Sequence, residues 1–146
     1  MFQHILLATD GSSASEHAAA LAVGLARTHG ARLTALYVVD PYPYMGIGEA
    51  NPMGFQAYMA AALDHAGSAQ AKVFELCNQG GTRVDVQPRV VENVGASAGI
   101  VQTAAEQGAD LIVLGSHGRS GIARLMLGSV AARVVAESKV PVLVAR

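Results

Sequence analysis

The sequence predicts an α/β fold with a doubly wound, five-stranded parallel sheet and helices on both faces. Short apolar segments alternate with Ala- and Leu-rich segments of helical length along the whole chain of 146 residues. Two of the apolar segments, Ile5 to Ala8 and Leu111 to Leu114, are unbroken, which is typical of strands buried on both faces. No repeat or change of composition interrupts this pattern, so residues 1–146 are predicted to form a single domain.

The first strand and helix are marked by their turn residues. Strand 1, Ile5 to Ala8, ends at Thr9-Asp10-Gly11, and Ser13 with Glu16 fits a capping box that opens the first helix. That helix is predicted to extend to about His29-Gly30, where glycine can adopt the left-handed conformation that ends many helices.

The second strand leads into a long irregular connection. Strand 2 is predicted at Leu33 to Val39, and Asp40-Pro41 breaks it. From Pro41 to about Gly54, Pro and Gly are too frequent for regular structure, and a flap over a site and a surface insertion are equally compatible with this loop. Helix 2 follows from about Phe55 to Asn78, with apolar residues at helical spacing: Met59, Leu63, Ala66, Val73 and Leu76.

The remaining segments complete the sheet. Strand 3 is predicted at Val84 to Val91, where Pro88 indicates a sheet edge because proline cannot donate to a central ladder. Helix 3 follows at about Ser97 to Gln107, helix 4 at Ser129 to about Ser138, and strand 5 at Val140 to Ala145. Placing the two unbroken strands side by side predicts the Rossmann-like order 3-2-1-4-5, in which ligands bind at the switch point between strands 1 and 4.

The segment between strand 4 and helix 4 is suited to binding phosphate. Its spacing is G-x2-G-x9-G-S, formed by Gly115, Gly118, Gly128 and Ser129. Glycine lets backbone N–H groups approach a ligand, and a helix N-terminus adds unpaired N–H donors and partial positive charge. No carboxylate occurs in residues 111–136, whereas three arginines do: Arg119, Arg124 and Arg133. For Arg119, a contact with phosphate and exposure to solvent are equally compatible with the sequence. Arg124 and Arg133 are interpreted as surface residues.

The spacing resembles the nucleotide-binding signature of the ATP-binding branch of the universal stress protein family. The resemblance covers nearly the whole chain in the expected order: ILLATDGSSAS, YVVD, ADLIVLGSHGRSG and VPVLVAR. It is weakest from Pro41 to Gly81, and Val94-Gly95-Ala96 departs from the Gly-x-Pro pattern common before helix 3. The resemblance implies an ATP-binding domain that acts as a nucleotide-dependent regulator or sensor in the stress response.

The predicted nucleotide-binding residues lie at the switch point and in the glycine segment: Thr9, Asp10, Val38, Gly115, Gly118, Arg119, Gly128, Ser129 and Val130. Asp10 is interpreted as a ligand contact, a role compatible with capping helix 1. The resemblance implies that backbone groups at Val38 meet adenine, and that Mg²⁺ or Mn²⁺ bridges the phosphates with Asp10 as the one candidate protein ligand. Valine at position 118 or 128 is expected to abolish binding and to change fold stability far less.

The sequence assigns no catalytic residue. His117 has no carboxylate or nucleophile near it in sequence and is interpreted as a loop histidine, and no histidine has metal-ligand spacing. The G-x4-G-K-[ST] and G-x-G-x-x-G motifs are absent, which argues against a P-loop enzyme and a Rossmann dehydrogenase. Slow ATP hydrolysis or phosphoryl transfer in the same pocket, and a nucleotide-free scaffold, are the alternatives to a regulator.

Composition narrows the choice of partners. A net charge of -1 and an aromatic content of 5% provide neither a basic face nor a stacking platform for nucleic acid. The single cysteine, Cys77, excludes an internal disulfide and is interpreted as a small apolar helix residue. No apolar run approaches the roughly 20 residues of a membrane span, and the first segment lacks a signal-peptide pattern, so we expect a soluble cytoplasmic protein.

The last strand is predicted to form a homodimer. Val140 to Ala145 lies at a sheet edge in the order 3-2-1-4-5 and carries no charge, with Pro141 near its start only. Two copies related by a two-fold axis would pair this strand antiparallel, and the resemblance implies a dimer of this kind. Leu143→Pro is expected to weaken the dimer and to leave the monomer fold largely intact.

Overall fold

The computed structural model describes residues 1–42, 52–117 and 126–146 of the chain, which contain one five-stranded sheet. In chain order the elements are β1 (His4–Ala8), α1 (Ser13–His29), β2 (Arg32–Val39), α2 (Pro52–Asn78), β3 (Val86–Glu92), α3 (Ala96–Gln107), β4 (Leu111–Gly115), α4 (Ser129–Glu137) and β5 (Val142–Ala145). The spatial order is β3-β2-β1-β4-β5 and every pair is parallel, which confirms the predicted topology. Within the described ranges, no helix combines the length and apolar character needed to cross a bilayer.

The helices divide between the two faces of the sheet. Ile5 and Val113 belong to a core that includes buried residues of α1 and α2, whereas Leu6 and Ile112 belong to a second core with α3 and α4. Successive strand residues point to opposite faces, so Ile5 to Ala8 of β1 and Leu111 to Leu114 of β4 are all apolar because both faces of these strands are covered.

The N-terminus of α1 differs in detail from the capping box expected at Ser13. The cap is Ser12, whose Oγ accepts a hydrogen bond from the Ser15 amide at 3.3 Å. Glu16 does not complete a box; its carboxylate pairs with Lys72 of α2 at 2.6 Å. At the other end, Gly30 takes φ 66° and closes the helix as predicted.

Helix α2 begins earlier than the sequence suggested. It includes residues 52–54, which the sequence assigned to the irregular connection, and the interpretation of residues 43–51 as a flap or an insertion lies outside the described residues. Ala66 and Val73 are buried as expected, but Leu63 is 46% exposed and does not belong to the core. Cys77 is buried among apolar side chains, as its interpretation as a small apolar residue requires.

The amino end of the sheet contains a buried polar network centred on His4. Its Nδ1 lies 3.0 Å from the Gln107 carbonyl and its Nε2 lies 2.8 Å from the Thr34 hydroxyl. Burial and then the positive charge of Arg32 lower the pKa of His4. The Asp110 carboxylate accepts from the backbone amides of residues 3 and 4 at 2.8 and 3.1 Å, and these bonds lower its pKa against the effect of burial. Both ring nitrogens of His4 and both carboxylate oxygens of Asp110 therefore have partners.

Candidate functional site

A cavity of about 610 Å³ opens at the carboxyl ends of β1, β2 and β4. This is the switch point of the sheet, where chain connections leave in opposite directions and a crevice must remain. Its volume falls in the range of about 300–1,000 Å³ typical of small-molecule sites. Much of the wall is apolar and comes from both layers of the fold: Ile100 and Leu114 belong to the core with α3 and α4, and Ala62 belongs to α2.

The predicted site residues that the structure describes all line this cavity: Thr9, Asp10, Val38, Gly115, Gly128, Ser129 and Val130. They come from three strand ends and one helix start, so the fold brings together groups that are more than a hundred residues apart in sequence. Gly118 and Arg119 lie outside the described residues, as does Arg124, whereas Arg133 is exposed as expected.

The turn after β1 is held by its own polar side chains. Asp10 Oδ1 accepts a hydrogen bond from the Ser12 amide at 2.9 Å, and Thr9 Oγ1 accepts one from Gly11 at 3.3 Å. Thr9 Oγ1 also donates to the Ser15 hydroxyl at 3.2 Å. Gly11 has φ 79°, a conformation that glycine adopts without strain. Asp10 therefore shapes the entry to α1 while it lines the cavity; the N-cap itself is Ser12, and the ligand contact of Asp10 stays a prediction.

The backbone of Val38 lies past the end of β1. The Thr9 amide donates to the Leu36 carbonyl at 2.9 Å, and the chain then turns toward α1. Alternate residues of β2 face β1 in a parallel ladder, and the next one to do so is Val38. No β1 residue is left to pair with it, so its N–H and C=O groups are placed toward the cavity. Its side chain packs instead against α3, where a Cβ added to Gly99 would lie 3.1 Å away.

Gly128 is required by packing as well as by any ligand. Its amide donates to the Ser116 carbonyl at 2.8 Å, and a Cβ added to it would lie 2.6 Å from that oxygen. The expectation that a side chain here leaves the fold nearly unchanged is therefore wrong. Gly115 is also close-packed, because a Cβ there would lie 3.1 Å from the backbone of Ala14 in α1.

The N-terminus of α4 faces the cavity without a side-chain cap. Gly128 is the N-cap, and its carbonyl accepts the first intrahelical bond, from Ala132 at 2.9 Å. The amides of residues 129–131 precede that bond and have no helical acceptor. The first turn contains no acidic residue. This end of the cavity therefore offers N–H donors and the positive end of the helix dipole to an anion.

Two parts of the wall were missed by sequence reasoning. Tyr58, Ala61, Ala62 and His65 form one face of α2 and line the cavity, with the Tyr58 hydroxyl donating to the Asp40 carbonyl at 2.8 Å. Their i, i+3, i+4, i+7 spacing was readable, but nothing local showed that this face meets β2. His117 also lines the cavity, and its Nδ1 is shielded from solvent with no hydrogen-bond partner in the described part of the chain.

Charge is distributed unevenly along the cavity. The carboxylates, Asp40 and Asp10, follow β2 and β1, whereas the α4 amides and His117 lie beyond β4. An elongated anionic ligand is therefore favoured with its negative end at β4 and its hydroxyl or N–H donors at β1 and β2. Among the described residues, no three His, Cys, Asp or Glu side chains are grouped closely enough to hold a metal ion.

Comparison with known proteins agrees with this architecture. The sequence model of the universal stress protein family matches residues 1–146. A universal stress protein of Thermus aquaticus is 36% identical, with 100% of each chain covered. Among solved structures, the universal stress protein UspA from Lactobacillus plantarum has a TM-score of 0.80 at 27% identity, with 99% of this chain and 97% of that chain covered. A universal stress protein in complex with cAMP has a TM-score of 0.63 at 29% identity, covering 99% and 97%. The chain belongs to the universal stress protein family.

Proposed function

We propose that this protein binds an adenine nucleotide, ATP, and acts as a nucleotide-dependent regulator or sensor in the stress response. The observation that carries the proposal is the uncapped N-terminus of α4, which opens on a cavity of about 610 Å³ at the switch point of the sheet. The cAMP complex of a relative supports an adenine nucleotide as the ligand class.

The charge distribution sets the orientation of the nucleotide. The triphosphate lies on the amides of Ser129, Val130 and Ala131, away from both carboxylates. The ribose lies near Asp10, which can accept hydrogen bonds from hydroxyl groups. The adenine edge meets the backbone of Val38, and apolar side chains such as Ile100 and Leu114 cover its faces.

A divalent metal ion enters with the nucleotide. Mg²⁺ or Mn²⁺ would be held mainly by phosphate oxygens, because Asp10 is the one protein ligand proposed for it and one of its oxygens already accepts from the Ser12 amide at 2.9 Å. The metal ion would neutralise the charge of the phosphates, and Asp10 would position the ion. We therefore expect Asp10→Asn to weaken metal-dependent binding of ATP more than binding of adenosine.

A matched pair of variants at the start of α4 tests the proposal. Ser129→Ala removes only the hydroxyl, whereas Ser129→Pro also removes the amide donor. Proline is well tolerated at this first helical position, and the extended Gly128, at φ -60° and ψ 154°, can precede it. Calorimetry should show that proline weakens ATP binding about tenfold or more beyond alanine, as expected for loss of a hydrogen bond to a charged group. Equal affinity in the two variants would place the phosphates elsewhere.

Slow ATP hydrolysis is the alternative function that one observation favours. His117 lines the cavity beside the start of α4, and a positioned imidazole can act as a general base. No carboxylate or glutamine occurs in residues 111–136 to orient it or an attacking water. We therefore expect steady-state turnover below about 1 s⁻¹, the lower end of common enzyme rates. Faster release of phosphate from ATP would favour the enzyme over the regulator.

We also propose that two chains dimerise through β5. It lies at a sheet edge and has no charged residue. The Ile112 and Ser116 amides donate to the Pro141 and Ala145 carbonyls at 3.0 and 2.7 Å, which fixes the parity of the ladder. The backbone groups of Leu143 therefore point toward β4, and those of Val144 point to the open edge.

The hydrogen-bonding direction of β5 shows that Leu143→Pro is the wrong variant for weakening the dimer without damaging the monomer. Leu143→Pro would remove a hydrogen bond inside the sheet and damage the monomer, whereas Val144→Pro removes only an edge donor. Light scattering should give a dimeric parent and a monomeric Val144→Pro with unchanged circular dichroism. A parent with the mass of one chain, or a Val144→Pro variant that stays dimeric, would exclude this interface.

A further inference from the structure

Aromatic rings are packed together where β2 ends and α2 begins: Tyr42, Phe55 and Tyr58. The ring centroids of Tyr42 and Phe55 lie 5.7 Å apart, and those of Tyr42 and Tyr58 lie 5.2 Å apart, in both cases edge to face. This is a favourable arrangement for aromatic pairs and helps to hold the rings in place. Of the three residues, only Tyr58 lines the cavity. Tyr42 therefore meets Tyr58 from outside the cavity.

The hydroxyl group of Tyr58 fixes where its ring lies. It donates to the Asp40 carbonyl at 2.8 Å, and Asp40 follows β2 and lines the same cavity. The ring thus reaches from one cavity-lining backbone, that of α2, to another at the end of β2. Tyr58 is partly exposed, and Ala61 and Ala62, the next positions on this face of α2, also line the cavity. The ring is therefore an accessible part of the cavity wall.

Tyr58 and Ile100 line the cavity from opposite layers of the fold. Tyr58 packs against a core that contains Val39, whereas Val38 and Ile100 pack in the core with α3 and α4. Successive residues of β2 point to opposite faces, so the end of this strand lies between the two side chains. A base placed at the Val38 backbone therefore has an apolar wall on each side.

We propose that Tyr58 is a base-contacting residue, whose ring packs against adenine from the α2 side and makes the site prefer ATP to inorganic tripolyphosphate. The inference rests on the proposed nucleotide function. Every nucleobase has a π face that can stack on an aromatic ring, whereas a phosphate group has none. The amides proposed to bind the phosphates belong to α4, in the opposite layer. A change at Tyr58 therefore acts on the base and leaves the phosphate contacts in place.

Two substitutions of Tyr58 separate its ring from its hydroxyl group. Tyr58→Leu removes both, whereas Tyr58→Phe removes the hydroxyl group alone. Calorimetry should show adenosine and ATP affinities falling about fivefold or more in the leucine variant, the lower end for base–aromatic stacking. The phenylalanine variant should keep most of the affinity. Tripolyphosphate affinity should stay within about twofold of the parent value in both variants, because its proposed contacts are the α4 amides.

Phe55→Leu is the matched control for the aromatic cluster. Phe55 packs on the same Tyr42 ring, but it does not line the cavity and is 49% exposed. Its substitution removes the same kind of ring contact as Tyr58→Leu. We expect Phe55→Leu to bind adenosine like the parent, because the cavity wall is unchanged.

Fluorescence of Tyr58→Trp reports the contact directly, because the chain has no tryptophan of its own. The emission should change when adenosine or ATP is added and should stay constant with tripolyphosphate. In Phe55→Trp the new ring starts from a position outside the cavity, and its emission should not respond to adenosine. This pair tests the contact even if the leucine variant does not fold.

Three outcomes would overturn the inference. They are parent-like adenosine affinity in Tyr58→Leu, loss of adenosine and tripolyphosphate affinity by the same factor, and equal fluorescence responses of Tyr58→Trp and Phe55→Trp. If the parent binds ATP and adenosine in these cases, the nucleotide proposal stands and only the role of Tyr58 is wrong. A parent that binds tripolyphosphate as tightly as ATP and does not bind adenosine would refute both the adenine site and this contact.

Discussion

The two ends of the sheet contain similar polar residues in opposite states. At the amino end, His4 uses both ring nitrogens, at 3.0 Å from the Gln107 carbonyl and 2.8 Å from the Thr34 hydroxyl. At the carboxyl end, His117 has an Nδ1 that is shielded and meets no partner in the described ranges. A histidine whose ring nitrogens are both paired within the fold contributes to stability, whereas a shielded nitrogen without a partner lowers it.

The helix N-termini at the carboxyl end of the sheet differ among themselves. Helix α1 begins with Ser12, whose side chain caps it, while α3 and α4 begin with Gly95 and Gly128 and have no side-chain cap. A Cβ added to Gly128 would clash with the Ser116 carbonyl, just past β4, whereas a Cβ added to Gly95 would meet nothing within 4 Å. Among the described residues, the start of α4 therefore lacks the local stabilisation that Ser12 gives α1, although both helix starts lie beside the cavity.

The largest effect that sharpens this comparison is expected at Gly128. Alanine there would place a Cβ 2.6 Å from the Ser116 carbonyl oxygen, a backbone atom that cannot move without shifting β4 or α4. We expect Gly128→Ala to lower the free energy of unfolding by about 1–3 kcal/mol through overpacking. Urea titration with a fluorescence or circular dichroism signal measures the change.

Gly95 is the matched control for that variant. It caps α3 with φ -63° and ψ 150°, nearly the dihedral angles of Gly128, and an added Cβ would meet nothing within 4 Å. Gly95→Ala therefore carries only the loss of a favourable N-cap residue, roughly 0.5–1 kcal/mol, a cost that Gly128→Ala has in addition to overpacking. Similar destabilisation in the two variants would show that the contact with Ser116 does not constrain the site.

Features of the fold that depend on local sequence patterns were predictable, whereas those that depend on contacts between distant segments were not. Strand order and the end of α1 at Gly30 were predictable because apolar runs and turn glycines are local patterns. The contact of Gly128 with Ser116, the wall formed by Tyr58 and His65, and the shielded Nδ1 of His117 were not predictable, because each depends on segments that approach only in the fold. The backbone motif indicated where the cavity lies, whereas the side chains around it could be assigned only from the structure.

The second effect compares the same substitution at the two ends. His4→Phe should lower the free energy of unfolding by about 1–3 kcal/mol, because the buried Thr34 hydroxyl and the Gln107 carbonyl would each lose a partner. His117→Phe should lower it little or raise it. Chemical unfolding of both variants decides this, and equal losses would mean that the two histidines do not differ in the way described.

The smallest effect is a pH dependence that belongs to the amino end. Burial and Arg32 lower the pKa of His4 below its ordinary value of 6.5, against the raising influences of the Gln107 carbonyl and Asp110. The folded state therefore binds fewer protons than the unfolded state as the pH falls below about 6.5, so stability is present above that value and is lost below it. Between pH 7.5 and 6 the loss is at most about 1 kcal/mol for one proton. The lowered pKa of Asp110 acts in the same direction but below its ordinary value of 3.8, outside this window.

Urea midpoints of the parent should decline across the window and those of His4→Gln should decline less, while the exposed His17→Gln should follow the parent. A His4→Gln variant with the full decline would assign the dependence to another group.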